Sequence, residues 1–186
     1  MESSSHDSAG RRDGSPANSE VYSVPVPPRD ATTRRVVREV HARLDGEGVL
    51  AALVWLNART RFRFTGLYRA EPPLLRNLYL VDRENPALNV SGKVCPLDET
   101  YCAITCAGDA SFTTPDARHD ARLVEHPARR SVISYAGVPV RLAGGVWATL
   151  CHYDLRPRLL PPTELAHLDA AASIFAGWLA DHDDAS

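Results

Sequence analysis

The side chains with the most chemical potential in this sequence are its four cysteines, Cys95, Cys102, Cys106 and Cys151. Cys102 and Cys106 are separated by one helical turn, so their thiols share a face of a helix. With Cys95 just upstream, that spacing suits a thiol centre or part of a metal site. It equally suits small apolar side chains that pack a helix against a sheet. A zinc site generally takes two close ligand pairs, and the second pair is missing. Cys151 and His152 are adjacent, so on a strand they point to opposite faces. No metal is expected. Histidine titrates near neutrality, yet His126, beside Pro127 in a loop, reads as a local hydrogen-bonding residue. His152 reads as a half-buried, satisfied histidine on a strand. The sequence contains no paired-carboxylate motif, no Gly-x-Ser-x-Gly elbow and no phosphate-cradling glycine loop.

The stretch that must position these groups runs from Ser134 to Arg158. Two runs suited to a pleated strand, Ser134–Leu142 and Val146–Asp154, flank Ala143-Gly144-Gly145, which predicts a β-hairpin. In the second arm Val146, Ala148, Leu150 and His152 fall on one face, and Trp147, Thr149, Cys151 and Tyr153 on the other. Neither face is freely solvated, so the hairpin is expected at the centre of a covered sheet. Pro139 has no N–H to give a ladder, so there the first arm must be an edge, a bulge or a place where no donor is needed.

Upstream, Asp30 is placed to cap a helix through about Leu44 with Val36, Val40 and Leu44 on one stripe. A second, nearly apolar helix follows from Val49 to Ala58. The period then changes to two from Arg61, giving a strand, and "LRNLYLVDR" forms another antiparallel to it across Glu71-Pro72-Pro73. "ENPALNVSGKVCPL" has turn chemistry and no sustained period. Asp98 is expected to cap a short helix through Ala107 that Gly108 ends. "ASFTT" suits a short strand, Asp116–Arg130 a charged loop with helical turns, and Thr163 to about Ala180 a last helix. Helices at both ends around such strands make an α/β (α+β) sandwich on a mainly antiparallel sheet.

Composition bounds the rest. A chain of 186 residues with 44% hydrophobic content suits one domain with a real core. Residues 1–29 are rich in Ser, Gly, Pro, Asp and Arg and are expected to be a disordered tail. The domain is expected over 30–181 and a short tail over 182–186. No apolar run approaches a membrane span, and the N-terminus lacks a signal-peptide pattern. A net charge of -2 gives no reason to bind nucleic acid or membrane. Few cysteines and no secretion signal point to a reducing cytoplasm with free thiols.

The order of elements, together with Tyr101-Cys102 in "DETYC", Asp116-Ala117-Arg118 in "PDAR", His126-Pro127-Ala128, "SYAGVPV" and "GVWATLCHYDLRPR", resembles a GAF domain over about Asp30 to Asp181. The resemblance implies a sheet of five or six antiparallel strands with the terminal helices on one side. On the other, irregular segments form a small-molecule pocket. It implies a regulatory module that senses a small ligand of unknown identity and dimerises through its terminal helices. The chain shows no kinase, cyclase, phosphodiesterase or DNA-binding segment, so its output is expected to pass through a signalling partner protein. By match to the family's pocket-lining segments, the ligand-binding residues would be Tyr68, Tyr101, Cys102, Asp116, Arg118, His126 and Tyr135. An enzymatic branch of the family reduces free methionine-(R)-sulfoxide with cysteines around the same pocket. Cys95 and Cys102 lie where two of those would be, while the loop "VEHPARRSVIS", where that branch carries its reactive cysteine, has none. The third alternative is a degenerate scaffold with a filled pocket. The residue set typical of the cyclic-nucleotide branch is absent, and "LCH" resembles a bilin attachment only superficially.

Overall fold

The structure, a computed structural model, describes residues 30–142 and 145–182. The expected N-terminal tail, most of the short C-terminal tail, and Ala143 and Gly144 of the hairpin turn lie outside the described residues. Helix α1 spans Ala31–Glu47 and starts as its sequence dictates: Asp30 accepts a hydrogen bond from the Thr33 N–H at 2.7 Å. Its apolar stripe, Val36, Val40 and Leu44, is buried. Gly48 then adopts φ 86°, open to glycine without strain, and its N–H caps the Arg43 carbonyl at 2.8 Å. That kink redirects the chain into α2, Val49–Ala58.

The strands are β1 (Phe64–Glu71), β2 (Leu74–Asp82), β3 (Val94–Pro96), β4 (Phe112–Thr114), β5 (Ser134–Leu142) and β6 (Gly145–Asp154). They form one antiparallel sheet in the order β3-β2-β1-β6-β5-β4. The hairpin is therefore β5–β6, but the central pair is β6 with β1, and β5 stands one place nearer the edge. Pairing with β4 reaches only Gly137, so at Pro139 the outer side of β5 is an edge, as proline requires. Strand β3 was illegible in a segment of turn chemistry, because three residues on an exposed edge carry no period.

One face of the sheet is covered by α1, α2 and α4 (Pro162–His182). Leu67, Val138, Val140, Ala148 and Leu150 meet Val40, Leu53, Leu168 and Phe175 there in an aliphatic core. On the opposite face lie α3 (Tyr101–Gly108) and a run of short 3-10 turns between Ala117 and Arg130. Helix α3 is capped differently from its sequence expectation. Thr100 is the N-cap, Asp98 sits in a 3-10 turn before it, and the left-handed residue that closes the helix is Asp109 (φ 42°) rather than Gly108. Arg141 fixes Asp109 by bonds to its carboxylate at 2.7 Å and its carbonyl at 2.8 Å. Among the described residues no helix is long and apolar enough to cross a membrane.

Candidate functional site

The site is built on strand register. Alternation sends Thr149, Cys151 and Tyr153 of β6 to the face opposite the three large helices. Cys151 stands directly across from Gly66 of β1 on one side and Gly137 of β5 on the other. The space above these glycines is taken by tyrosines two residues along each strand. A Cβ at Gly66 would lie 2.3 Å from Tyr68 Cε2, and one at Gly137 only 2.1 Å from the Tyr135 hydroxyl. Glycine is therefore required at both positions for the two rings to lie down beside Cys151. Tyr68 and Tyr153 join their hydroxyls at 2.9 Å, and Tyr153 stacks on Phe64 with ring centroids 4.6 Å apart.

Helix α3 forms the roof. Its first turn places Tyr101 edge-on to Tyr135 at 5.5 Å and hangs Cys102 over the floor. The cavity between them is open to solvent on one side and has a volume of about 260 Å³, with Tyr68, Leu75, Cys95, Tyr101, Cys102, Tyr135, Cys151 and Tyr153 in its wall and Glu99, Thr100, Ala128, Ser131 and Val132 completing it. Among these residues Glu99 alone carries a formal charge at neutral pH. The phenol oxygens are largely committed to the protein: Tyr101 donates to the Val132 carbonyl at 3.2 Å, and Tyr135 to Cys102 at 3.5 Å. Burial holds the phenols of Tyr68, Tyr135 and Tyr153 well above their ordinary value, so they act as neutral donors.

Cys102 has the most unusual environment in the cavity. Its sulfur accepts hydrogen bonds from the Thr149 hydroxyl at 3.1 Å and the Tyr135 hydroxyl at 3.5 Å. The neighbouring Cys151 thiol and these two hydroxyls hold the Cys102 thiol below its ordinary pKa although burial alone would raise it. Cys151 moves the other way: the neighbouring Cys102 and its burial push it well above the ordinary value. Burial also raises Cys95, which stands at the exposed end of the cavity.

Of the seven residues expected to bind ligand, the fold brings Tyr68, Tyr101, Cys102 and Tyr135 into this cavity, together with Cys95. It does not bring in Asp116, Arg118 or His126. Asp116 accepts from Arg118 at 2.8 and 2.9 Å, which holds its carboxylate far below the ordinary value. Arg118 and His126 line a separate surface depression with Arg129 and Arg130. His126 touches the cavity wall from behind, its ring 4.8 Å from that of Tyr101, with Nδ1 accepting from the Ala128 N–H. Cys106 is also outside; it borders a groove with Pro72, Pro73 and Ala103, whereas Cys151 shares the cavity with Cys102. Sequence reasoning passed over Cys151 and Tyr153. Their alternation with Leu150 and His152 was visible, but only the pairing with Gly66 and Gly137 shows that they floor a cavity. His152, on the helix-covered side, is fully buried and meets the Thr65 hydroxyl at 2.7 Å. Among the described residues no three His, Cys, Asp or Glu side chains gather closely enough to hold a metal ion.

A family model for the GAF domain matches residues 28–177. Solved structures share the fold at low identity. The GAF domain of an Acinetobacter phosphoenolpyruvate-protein phosphotransferase is 13% identical with TM-score 0.68, the match covering 84% of this chain and 98% of that one. The free methionine-R-sulfoxide reductase from Neisseria meningitidis, solved in complex with its substrate, is 15% identical with TM-score 0.66, over 83% and 92% of the two chains. The chromophore-binding domain of a bacteriophytochrome from R. palustris is 12% identical with TM-score 0.66, over 83% and 62%. A search of curated proteins finds no match.

Proposed function

The chain belongs to the GAF domain family, and we propose that it is a regulatory module that binds a small metabolite in the cavity between α3 and the β1–β6–β5 floor. The observation that carries this reading is the cavity itself: an aromatic, largely apolar cleft with a few oriented polar groups, which is the chemistry of a small-molecule site. At about 260 Å³ it lies just under the range of drug-sized pockets, about 300–1,000 Å³, and suits a small metabolite. With Glu99 as the one formal charge in its wall, it favours a neutral or cationic ligand over an anion. The protein works in the cytoplasm, and its effect is a population shift: a ligand acts only as far as it binds two conformations with different affinity. The output passes through dimerisation of the terminal helices or through a partner protein. Leu50 and Val54 of α2, both about half exposed beside that layer, support an apolar contact there.

A thermal-shift screen of metabolites tests the binding reading. A raised melting temperature that disappears in Tyr101→Ala and Tyr135→Ala is expected. A cavity filled by its own side chains in a crystal, with no response across the screen, would instead make the protein a scaffold. A monomeric mass by light scattering at high concentration would remove the dimer.

One observation favours a second reading, a thiol-dependent free methionine-(R)-sulfoxide reductase: Cys95 and Cys102 line the same cavity. The Cys102 thiolate would attack the sulfoxide sulfur, the sulfoxide S–O bond would break as the oxygen passes to the cysteine sulfur and takes a proton from solvent, the thioether would leave, and the resulting sulfenic acid would condense with the second thiol, releasing water and forming a disulfide. A coupled turnover assay decides this. No activity in the wild type, or full activity in Cys102→Ser, sinks the enzyme.

A further inference from the structure

We propose that Cys102 and Cys151 form a built-in dithiol couple that a small hydroperoxide oxidises to a disulfide between α3 and β6 across the cavity. It requires no bound metabolite and stands apart from both the sensing and the reductase readings. Its basis is where the two thiols sit. Both line one cavity, and the Cys102 sulfur accepts from the Thr149 hydroxyl at 3.1 Å, two residues from Cys151 on the same face of β6, and from the Tyr135 hydroxyl at 3.5 Å, which overlies Gly137 directly across from Cys151. Hydrogen bonds to sulfur favour the charged form, so Cys102 is the attacking group and Cys151 the resolving thiol. Both sulfurs belong to the cavity wall, whose exposed end is marked by Cys95 and Glu99, so an oxidant of a few atoms reaches Cys102 without unfolding α3. The immediate register supports the pairing. Gly66 and Gly137 flank Cys151 on the two neighbouring strands, so no Cβ stands beside it on either side.

The chemistry balances in two steps. The Cys102 thiolate attacks the nearer peroxide oxygen, the O–O bond breaks, an S–O bond forms, and the departing alkoxide or hydroxide takes a proton from solvent. Cys151 then attacks the sulfenic sulfur, the S–O bond breaks, and the Cys151 proton leaves with the oxygen as water. In sum, two thiols are oxidised to one disulfide while one peroxide is reduced to an alcohol, or water, plus water.

The full chain, reduced and then treated with one equivalent of hydrogen peroxide, tests this. The expected result is an intact mass lower by two hydrogens, a cross-linked Cys102–Cys151 peptide on digestion, and complete reversal by dithiothreitol. In Cys151→Ser the sulfenic acid persists at Cys102 and is captured by dimedone; in Cys102→Ser peroxide consumption falls at least tenfold. Thr149→Val, which keeps the shape and removes one donor, slows Cys102 alkylation severalfold and moves its pH midpoint upward, a readout that simple misfolding does not produce. Cys95→Ser and Cys106→Ser leave the disulfide intact. A disulfide mapped to Cys95–Cys102, no disulfide at all, or a Cys102 that alkylates only at the pH of an ordinary buried thiol would overturn the proposal.

Discussion

The two faces of the sheet are made by alternate residues of the same strands, and they solve different problems. Toward α1, α2 and α4, β6 presents Ala148 and Leu150, β5 Val138 and Val140, and β1 Leu67, all fully buried aliphatic groups. That side is held by apolar area and close packing, with a contribution of about 1.5–3 kcal/mol for each large side chain buried. Toward α3, the intervening positions are Thr149, Cys151, Tyr153, Tyr135 and Tyr68, with glycines left between them. That side is held by oriented hydrogen bonds, and its glycines leave room rather than fill it. The lesson is that a single-residue alternation separates stability from chemistry, so a substitution's consequence depends on parity along the strand more than on burial.

The sharpest way to break that comparison is on the helix side. Leu150→Ala removes a fully buried side chain and is expected to cost about 2–5 kcal/mol in urea denaturation. A cost equal to that of cavity-side variants would undo the distinction.

His152 supplies the next effect, because it is the polar exception on the helix side. Burial lowers its pKa to about 3 in the folded protein, against an ordinary value near 6.5. Between those values the unfolded chain takes up a proton that the folded chain refuses. Its contribution is therefore complete above pH 6.5 and is lost as pH falls toward 3, at about 1.4 kcal/mol per pH unit, or about 2 kcal/mol at pH 5. His152→Gln should flatten this acid limb in stability measured against pH; an unchanged slope would contradict a buried neutral histidine.

Gly137→Ala tests the cavity side. Its methyl would collide with the buried Tyr135 hydroxyl, so Tyr135 must move, costing about 1–3 kcal/mol. Thiol reactivity at Cys102 and any ligand response should change more than stability does. Tyr68→Phe is the smallest: it removes one hydroxyl pair with Tyr153 and should cost about 0.5–1.5 kcal/mol by the same denaturation assay while leaving the fold unaltered.

Much of the architecture was legible because it rests on local rules. The Asp30 cap, the Val36, Val40 and Leu44 stripe, the hairpin and the last helix each follow from side chains near in sequence. The wording of "SYAGVPV" and "GVWATLCHYDLRPR" carried the family. What could not be read locally was non-local. Strand β3 exists because β2 offers it an edge, and the 3-10 turns pair Asp116 with Arg118 and set His126 behind Tyr101, outside the cavity.

For the candidate site, sequence alone determined which residues alternate: it put Cys151 on the same face as Thr149 and Tyr153, and Tyr101 beside Cys102 on one short helix. Tertiary structure decided what those faces meet. Register between three strands distant in sequence set Cys151 between Gly66 and Gly137, and the packing of α3 brought Cys102 into the same cavity. The period of a strand is a property of its own backbone, but the neighbour across a ladder or above a sheet is fixed only when the whole chain closes around its core.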